Sequence, residues 1–208
     1  MRAVCNFTTN LLSGLLNHRF AKLLLLGGVL LLVSGMSAQA QVTVYARFGN
    51  GTGVWAGELV NPRAGWTVLK SASFGSESSP TTQGVGIGPM AFKKLEIEKV
   101  VDTLTPQFMV SMASGTAMNV SGTDLTLEFE KVTQAGAVVF FRVEFENVFF
   151  SSSAMSASTG DSELAEKVSL IYGSARYTST PILANGTLGT PVVRSWNQVT
   201  GTSTFPNP

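Results

Sequence analysis

The sequence predicts an all-β protein with one short helix, built as a two-sheet antiparallel β-barrel or sandwich. Several segments alternate apolar and polar residues with a period of two, as strands with one buried face do. The chain is rich in Ser, Thr, Gly and Val, a composition typical of strands joined by many turns. Only one segment has helical spacing. Residues 41–208 are numerous enough for a single domain with one core.

The first forty residues have the layout of a secretory signal peptide. Arg2, Arg19 and Lys22 form a positive region, and residues 23–33 form an uninterrupted run of small and apolar side chains. Residues 38–40 read Ala-Gln-Ala, which is an A-x-A cleavage site. We therefore expect residues 1–40 to be a signal peptide and residues 41–208 to be the secreted domain, in the periplasm or outside the cell.

Two alternatives to cleavage remain open. The apolar run is about eleven residues long, whereas a membrane-spanning helix needs roughly twenty, so a retained anchor is the less favoured interpretation. The positive region is unusually long, so the true start could lie further along the chain. In that case the protein would assemble in the cytoplasm.

Cleavage would remove the chain's only cysteine, Cys5, and its only histidine, His18. This excludes Ser-His-Asp and Cys-His catalysis and Cys/His metal sites. It would also leave eleven of the fourteen basic residues against thirteen acidic ones, a net charge of about −2. Without a basic run, nucleic acid and anionic membranes are poor partners. We predict no catalytic residue, no metal ligand and no cofactor.

Four segments show the strand alternation most clearly. In each, polar residues separate apolar ones, and the apolar face is predicted to be buried. The apolar positions are Val42, Val44 and Ala46; Leu95 and Ile97; Leu125, Leu127 and Phe129; and Phe141, Val143 and Phe145.

The remaining strands are less regular. The strand at Phe141 runs on to Phe150 and ends apolar on both faces, which indicates a cover from another element or another subunit. Further strands are predicted at 168–177 and 192–199. Residues 133–136 join two long alternating runs and predict a hairpin.

One helix is predicted in the middle of the chain. Thr105 is the expected N-cap, Pro106 occupies the first helical position, and Gly115 is the expected C-cap. Its docking face recurs every four residues, at Leu104, Phe108 and Met112. Residues 49–63 and 75–89 are predicted to be mobile loops.

Two patterns resemble chemical sites. Residues 84–88 read Gly-Val-Gly-Ile-Gly, but Pro89 and a strand follow instead of a helix, so a flexible loop is favoured over a phosphate site. The four acidic residues of two neighbouring strands could form carboxylate pairs for glycoside hydrolysis or calcium binding. They lie on the outward faces near Lys131 and Arg142, which favours a solvated, cross-strand-paired surface. These residues are Glu128, Glu130, Glu144 and Glu146.

The order of the segments along the chain carries a family resemblance. The segments are residues 42–48; a Trp-containing strand at 65–75; a strand at 92–102 leading to Asp102, Thr105-Pro106 and Gly115; a long hairpin of 125–132 with 138–151; the Glu166-to-Leu170 strand; and a Gly…Trp segment ending at Asn197. In this order they resemble the Hcp family, the ring-forming tube proteins of type VI secretion systems.

The resemblance implies a two-sheet β-barrel with one short helix, six copies of which form a ring. Stacked rings would act as a passive conduit or cargo carrier, with no enzymatic activity, and with sheath, spike and effector proteins as partners. One feature departs from the family, whose tube proteins travel without a cleaved signal. In addition, the loop 75–89 lies where such proteins vary in their ring-stacking contacts.

Three alternative functions are consistent with these observations. The first is a homo-hexameric structural protein of the Hcp type. The second is an exported periplasmic or surface binding module that shares only the fold. The third is an extracellular carbohydrate-acting enzyme that uses a glutamate pair, Glu128 and Glu144.

Overall fold

The computed structural model describes residues 41–80, 87–118 and 123–205, so the predicted signal peptide lies outside the described residues. Antiparallel strands dominate, with one α-helix, which confirms the predicted fold class. The helix α1 is Thr105–Ser114. The strands are β1 Val42–Phe48, β2 Thr67–Leu69, β3 Ser71–Ser73, β4 Ser76–Pro80, β5 Ile87–Phe92, β6 Leu95–Val100, β7 Leu125–Thr133, β8 Gly136–Glu146, β9 Phe149–Ser156, β10 Ala165–Ile171, β11 Ser174–Ser179 and β12 Val192–Asn197.

The strands form two main sheets that pack face to face. A six-stranded sheet has the order β12-β11-β8-β7-β1-β2, and a four-stranded sheet has the order β3-β6-β10-β9. The hairpin β4-β5 forms a separate two-stranded sheet. Among the described strands neither main sheet closes on itself, so the architecture is a sandwich with free sheet edges.

The core lies between the two sheets and contains the apolar faces that the alternation predicts. The strands with clear alternation turn their apolar positions inward, because successive side chains point to opposite faces of a strand, except for Val42 at the start of β1, which is exposed. The fully buried members include Ala46, Phe48, Leu95, Ile97, Leu125, Leu127, Val143 and Phe145. Val44, Phe129 and Phe141 pack against this cluster.

The chain crosses between the sheets at three points that the alternation does not reveal. Lys70 separates β2 from β3, Asn147 lies between β8 and β9, and Gly173 lies between β10 and β11. The predictions of continuous strands over 141–150 and 168–177 are therefore wrong. At Asn147 the backbone turns through a left-handed conformation with φ of 54°, which redirects the chain into the other sheet.

This crossing explains why residues 141–150 are apolar on both faces. Phe145 faces the core from β8 in the six-stranded sheet, and Phe150 faces it from β9 in the four-stranded sheet; Val148, at the crossing, is buried as well. The cover is therefore this chain's own core, one of the two covers considered above.

The prediction of a hairpin and the prediction of a loop have opposite outcomes. The β7–β8 hairpin is confirmed, with Thr133 paired to Gly136. The loop predicted at 75–89 is wrong, since Ser76 pairs with Phe92 in the β4–β5 hairpin. Serines are compatible with a strand when a partner strand forms hydrogen bonds with their backbone N–H and C=O groups. The glycines at 84 and 86 lie outside the described residues.

The helix is where the spacing predicts it, but its first residue has another role. Leu104 and Phe108 are buried, Met112 packs against the core, and Gly115 ends the helix with φ of 63°. The prediction of Thr105 as N-cap is wrong, because Leu104 occupies that position and Thr105 is the first helical residue. The Thr105 side chain is buried in a polar cluster described below.

Candidate functional site

The outer face of the six-stranded sheet carries rows of charged side chains. The strand register places Arg47, Thr126, Glu144 and Arg176 in one row across β1, β7, β8 and β11. A neighbouring row contains Tyr45, Glu128 and Arg142. Residues in such rows contact their cross-strand neighbours. The face is therefore organised by strand pairing into alternating positive and negative charge.

Arg63, from the loop before β2, lies across this face. Its Nη1 is 2.5 Å from Glu128 Oε2, and its Nη2 is 2.6 Å from Glu130 Oε2. Its guanidinium carbon lies 3.9 Å from the centre of the Tyr45 ring, a cation–π contact. Glu128 is only 6% exposed, so the predicted solvated surface is wrong at this position. The loop that carries Arg63 was predicted to be mobile, whereas these contacts tie it to the sheet.

The predicted cross-strand pairing is confirmed for Glu128 and Glu144, whereas Glu130 pairs with Arg63 from the loop before β2. Arg142 Nη2 is 2.5 Å from Glu128 Oε1, and Arg176 donates through Nε and Nη2 to the two oxygens of Glu144, at 2.7 Å each. Such two-point contacts between arginine and carboxylate are specific and strong. The arginines occupy the oxygens that a hydrolytic carboxylate pair would turn towards its substrate. This arrangement is therefore structural and favours no glycosidase.

We expect Arg63→Ala to lower the free energy of unfolding by about 1–3 kcal/mol, because it removes two partly buried ion pairs from carboxylates that stay in place. Urea unfolding followed by tryptophan fluorescence measures this. Arg194→Ala is the matched control, since Arg194 is exposed on β12 and, among the described residues, its side chain bonds only to the neighbouring Val193 carbonyl. Equal losses in the two variants would contradict the structural role of Arg63.

Glu146, at the end of β8, has an unusual proton affinity. Burial and, to a smaller extent, the nearby Asp124 and Glu144 carboxylates raise its pKa from 4.5 to about 7, although Arg176 acts in the opposite direction. A proton bound more tightly in the folded state stabilises the fold at low pH. This contribution is complete below the unfolded pKa of 4.5 and is lost as pH rises through about 7.

We therefore expect the unfolding free energy to fall between about pH 4.5 and about pH 7, and Glu146→Gln to flatten this slope. Urea midpoints measured at several pH values test it. Glu96→Gln, at an exposed position on β6, is the control and should retain the wild-type slope. If Glu146→Gln has the same pH dependence as the wild type, the explanation is wrong.

A second polar cluster is buried between the helix and the four-stranded sheet. Lys99 Nζ lies 2.6 Å from Asp102 Oδ1 and 3.0 Å from Glu166 Oε2, and donates to Thr105 Oγ1 at 3.1 Å. Lys99 and Glu166 are both 0% exposed. Such buried charges persist only when they are paired and hydrogen-bonded.

The partners of this cluster join several elements. Asp102 accepts from the Leu104 backbone N–H and from the Thr67 hydroxyl, each at 2.9 Å. Glu166 accepts from Thr105 Oγ1 at 2.5 Å and from Ser153 Oγ at 3.0 Å. The cluster therefore fixes the start of α1 to β2, β6, β9 and β10.

The sequence contains a signal for this cluster that our predictions did not use. Lys99 is in phase with Leu95 and Ile97 on β6, and Glu166 is in phase with Val168 and Leu170 on β10. A charged residue in the apolar phase of a strand points inward and needs a partner of opposite charge. Two such residues on neighbouring strands indicate a buried ion pair.

The two outer strands of the six-stranded sheet are the remaining candidate surfaces. β12 has exposed Val192 and Val193, and the short β2 has exposed Val68. Part of β12 is covered by the chain's own tail, since Asn197 exchanges backbone hydrogen bonds with Thr202 at 2.8 and 3.2 Å. Edges with unpaired backbone groups are surfaces on which another strand can pair.

Metal clusters and membrane-spanning helices are both absent from the part of the chain that the structure describes. No group of three acidic, histidine or cysteine side chains among residues 41–80, 87–118 and 123–205 could hold a metal ion. Within those same ranges no helix is long and apolar enough to cross a membrane.

The fold is shared with solved structures of Hcp proteins and of a protein described as part of a type six secretion system. A protein described as a type six secretion system protein superposes with a TM-score of 0.65 at 19% identity, covering 78% of this chain and 99% of its own. Hcp1 from Salmonella typhimurium superposes with a TM-score of 0.62 at 14% identity, covering 80% of this chain and 100% of its own. Hcp1 from E. coli EAEC 042 superposes with a TM-score of 0.58 at 16% identity, covering 76% of this chain and 99% of its own. At these identities the likeness establishes the fold alone, an Hcp-like antiparallel β-sandwich.

The family follows from the sequence itself. The family model "Type VI secretion system effector, Hcp" matches residues 50–178, more than half of the chain. The chain therefore belongs to the Hcp family, and the resemblance drawn from the order of its segments is confirmed. No curated protein matches the sequence.

Proposed function

We propose that this chain forms a homo-hexameric ring, and that rings stack into a tube that serves as a conduit or cargo carrier without turning over a substrate. Membership of the Hcp family carries this proposal. The geometry supports it through the six-stranded sheet, whose two ends, β12 and β2, are different surfaces. Joining one end to the other end of the next copy gives a heterologous interface, and such interfaces generate rings when the rotation closes.

The β12 edge provides the backbone groups for such pairing. The hydrogen bonds between Asn197 and Thr202 show that the Asn197 backbone points away from β11. Because backbone direction alternates along an antiparallel strand, the backbone groups of Ser195 and Val193 point outward as well. Arg194 Nη1 already bonds the Val193 carbonyl at 2.7 Å, as expected for a carbonyl at the outer edge.

Size-exclusion chromatography with light scattering, followed by negative-stain imaging, tests the assembly. A ring of six times the monomer mass supports the proposal. The variant Val193→Lys places a charge on the β12 edge and should dissociate the ring. Val110→Lys is the matched control on the exposed face of α1 and should leave it intact.

A monomer over a wide concentration range would contradict the ring and would favour the second candidate, an exported binding module on the same fold. Loss of the ring in both lysine variants would also contradict a specific role for the β12 edge. Neighbouring sheath, spike and baseplate genes would support the proposed sheath, spike and effector partners.

We also propose that residues 1–40 are a signal peptide and that residues 41–208 are the exported domain. The basic region, the apolar run and the Ala-Gln-Ala site support this. Mass spectrometry of the protein purified from its native host tests it. An N-terminus at Gln41 supports export, whereas an intact leader, or a start within it, would favour assembly in the cytoplasm.

A further inference from the structure

A cleft opens at the end of the sandwich where the chain passes between the two sheets. Its volume is about 360 Å³, near the lower end of the ~300–1,000 Å³ range of ligand pockets. Its walls come from the β5–β6 turn, the β8–β9 and β10–β11 crossings and the segment after β12. We call it the crossover cleft, and its principal lining residues are Phe92, Lys94, Phe149, Ile171, Tyr172 and Val199.

The floor of the crossover cleft is apolar. The rings of Phe92 and Tyr172 lie 4.7 Å apart, and the Tyr172 hydroxyl donates to the Gly75 carbonyl at 3.4 Å. Ile171 is 47% exposed and Val199 is 74% exposed, although both line the same cleft. Adjacent exposed apolar side chains in a concave site mark a binding surface more often than isolated ones do.

The backbone holds the shape of the crossover cleft. Asn147 is the only residue other than glycine with a positive φ among the described residues, and such outliers concentrate at functional sites. At Gly173 an added Cβ would lie 3.0 Å from Asn147 Cβ and 3.0 Å from Val199 Cγ2. Glycine thus allows the two crossings to approach closely, and the cleft forms beside them.

The rim of the crossover cleft is positively charged. Lys93 and Lys94 both line it, and none of the lining residues that the structure describes is acidic. Lys93 pairs with Glu77 at 3.2 Å, but both side chains are largely exposed, so this pair is weak. Lys94 makes no ion pair with any residue that the structure describes. This local charge is opposite to the net charge of about −2 that residues 41–208 carry.

We propose that the crossover cleft binds an amphiphilic carboxylate with an unbranched aliphatic chain, of the free fatty-acid type. The chain lies on Ile171, Val199 and the Phe92–Tyr172 floor, and the carboxylate faces Lys94. An apolar floor with a cationic rim is complementary to this ligand class, which has an apolar chain and one terminal negative charge. The inference concerns a single copy and does not depend on ring assembly.

Isothermal titration of the purified protein with hexanoate, octanoate and decanoate, each below its micelle concentration, tests the proposal. We expect affinity to rise about fourfold per added methylene until the floor is covered. Octanol and octylammonium, which lack the negative charge, should bind at least tenfold more weakly than octanoate. Affinity that does not depend on chain length, or equal binding of octylammonium, would overturn the proposal.

Two variants locate the binding. Ile171→Glu and Lys94→Glu should each weaken octanoate binding at least tenfold, since they place negative charge on the floor and at the rim. Lys167→Glu, at an exposed position on β10 outside the cleft, is the matched control and should bind like the wild type. Because Lys94 is exposed, its variant keeps the test valid if Ile171→Glu does not fold.

Other occupants give distinguishable results. Binding of phosphatidylglycerol vesicles without binding of free octanoate would indicate a lipid surface and overturn the proposal. A changed oligomeric state in Ile171→Glu, again without octanoate binding, would indicate a contact between copies and overturn it too. Octanoate binding that Lys94→Glu abolishes supports the proposal whether or not rings form, so its outcome is separate from that of the assembly experiment.

Discussion

We expect Lys99→Met to lower the free energy of unfolding by about 3–5 kcal/mol, one of the two largest effects of a single change in this protein. The substitution removes the only cation from a buried cluster and leaves Asp102 and Glu166 without it. Removing one partner of a buried ion pair is strongly destabilising, because the other charge stays buried and uncompensated. Equilibrium urea unfolding, followed by tryptophan fluorescence, measures the loss.

The control is Lys167→Met, on the neighbouring strand β10, where the lysine is exposed. It makes the same chemical change without opening the buried cluster, and surface substitutions of this kind stay within about 0.5 kcal/mol. A triple variant, Lys99→Met with Asp102→Asn and Glu166→Gln, should recover part of the lost stability because it also removes the two uncompensated negative charges. A single variant as stable as the control would contradict the structural role of the cluster.

The second large effect is expected for Phe108→Ala, at about 3–5 kcal/mol. Phe108 lies on the docking face of α1, with its ring centre 4.8 Å from that of Phe48 and 4.8 Å from that of Phe150. It is fully buried, so truncation removes apolar contacts from both sheets and leaves a cavity that the packed aromatic rings cannot fill. Thermal and urea unfolding measure the loss.

Val110→Ala is the matched control, because Val110 lies on the same helix but faces solvent. We expect it to change stability by no more than about 0.5 kcal/mol. Amide exchange adds a second measurement, since Phe108→Ala should release α1 locally as well as lower global stability. Equal stability of the two variants would show that α1 is not docked through Phe108.

The predictions that succeeded rest on local periodicity. The inward positions of β1, β6, β7 and β8 follow from a period of two, and the docking face of α1 follows from a period near four. Gly115 ends the helix in a left-handed conformation, as the spacing predicts. These features depend on neighbours within a few residues, so the sequence shows them directly.

The predictions that failed depend on contacts between distant parts of the chain. Glu128 was expected to be solvated, but Arg63 covers it from 65 positions away. Thr105 was expected to cap the helix, but its hydroxyl donates to Glu166, 61 positions away. The local sequence pattern correctly predicted that both side chains make polar contacts. It could not supply the partner that each one has in the folded protein.

The points where the chain crosses between the sheets could not be predicted from the sequence either. Apolar residues stand on both sides of Asn147 and of Gly173, because the strand after each crossing also contributes an apolar inner face. Only the backbone at these points decides which sheet the chain joins. The same crossings form the cleft at that end of the sandwich, so the sequence contains no local pattern for it.

The sequence by itself determined the fold class, the inward faces, the helix and the family, because periodicity, composition and the order of segments can be read from the sequence directly. The tertiary structure alone decided which charges are buried, where the strands change sheet, and which apolar side chains remain exposed in the crossover cleft. The physical reason is that burial is a property of the whole packed chain. A side chain's environment comes from residues that only folding brings near it.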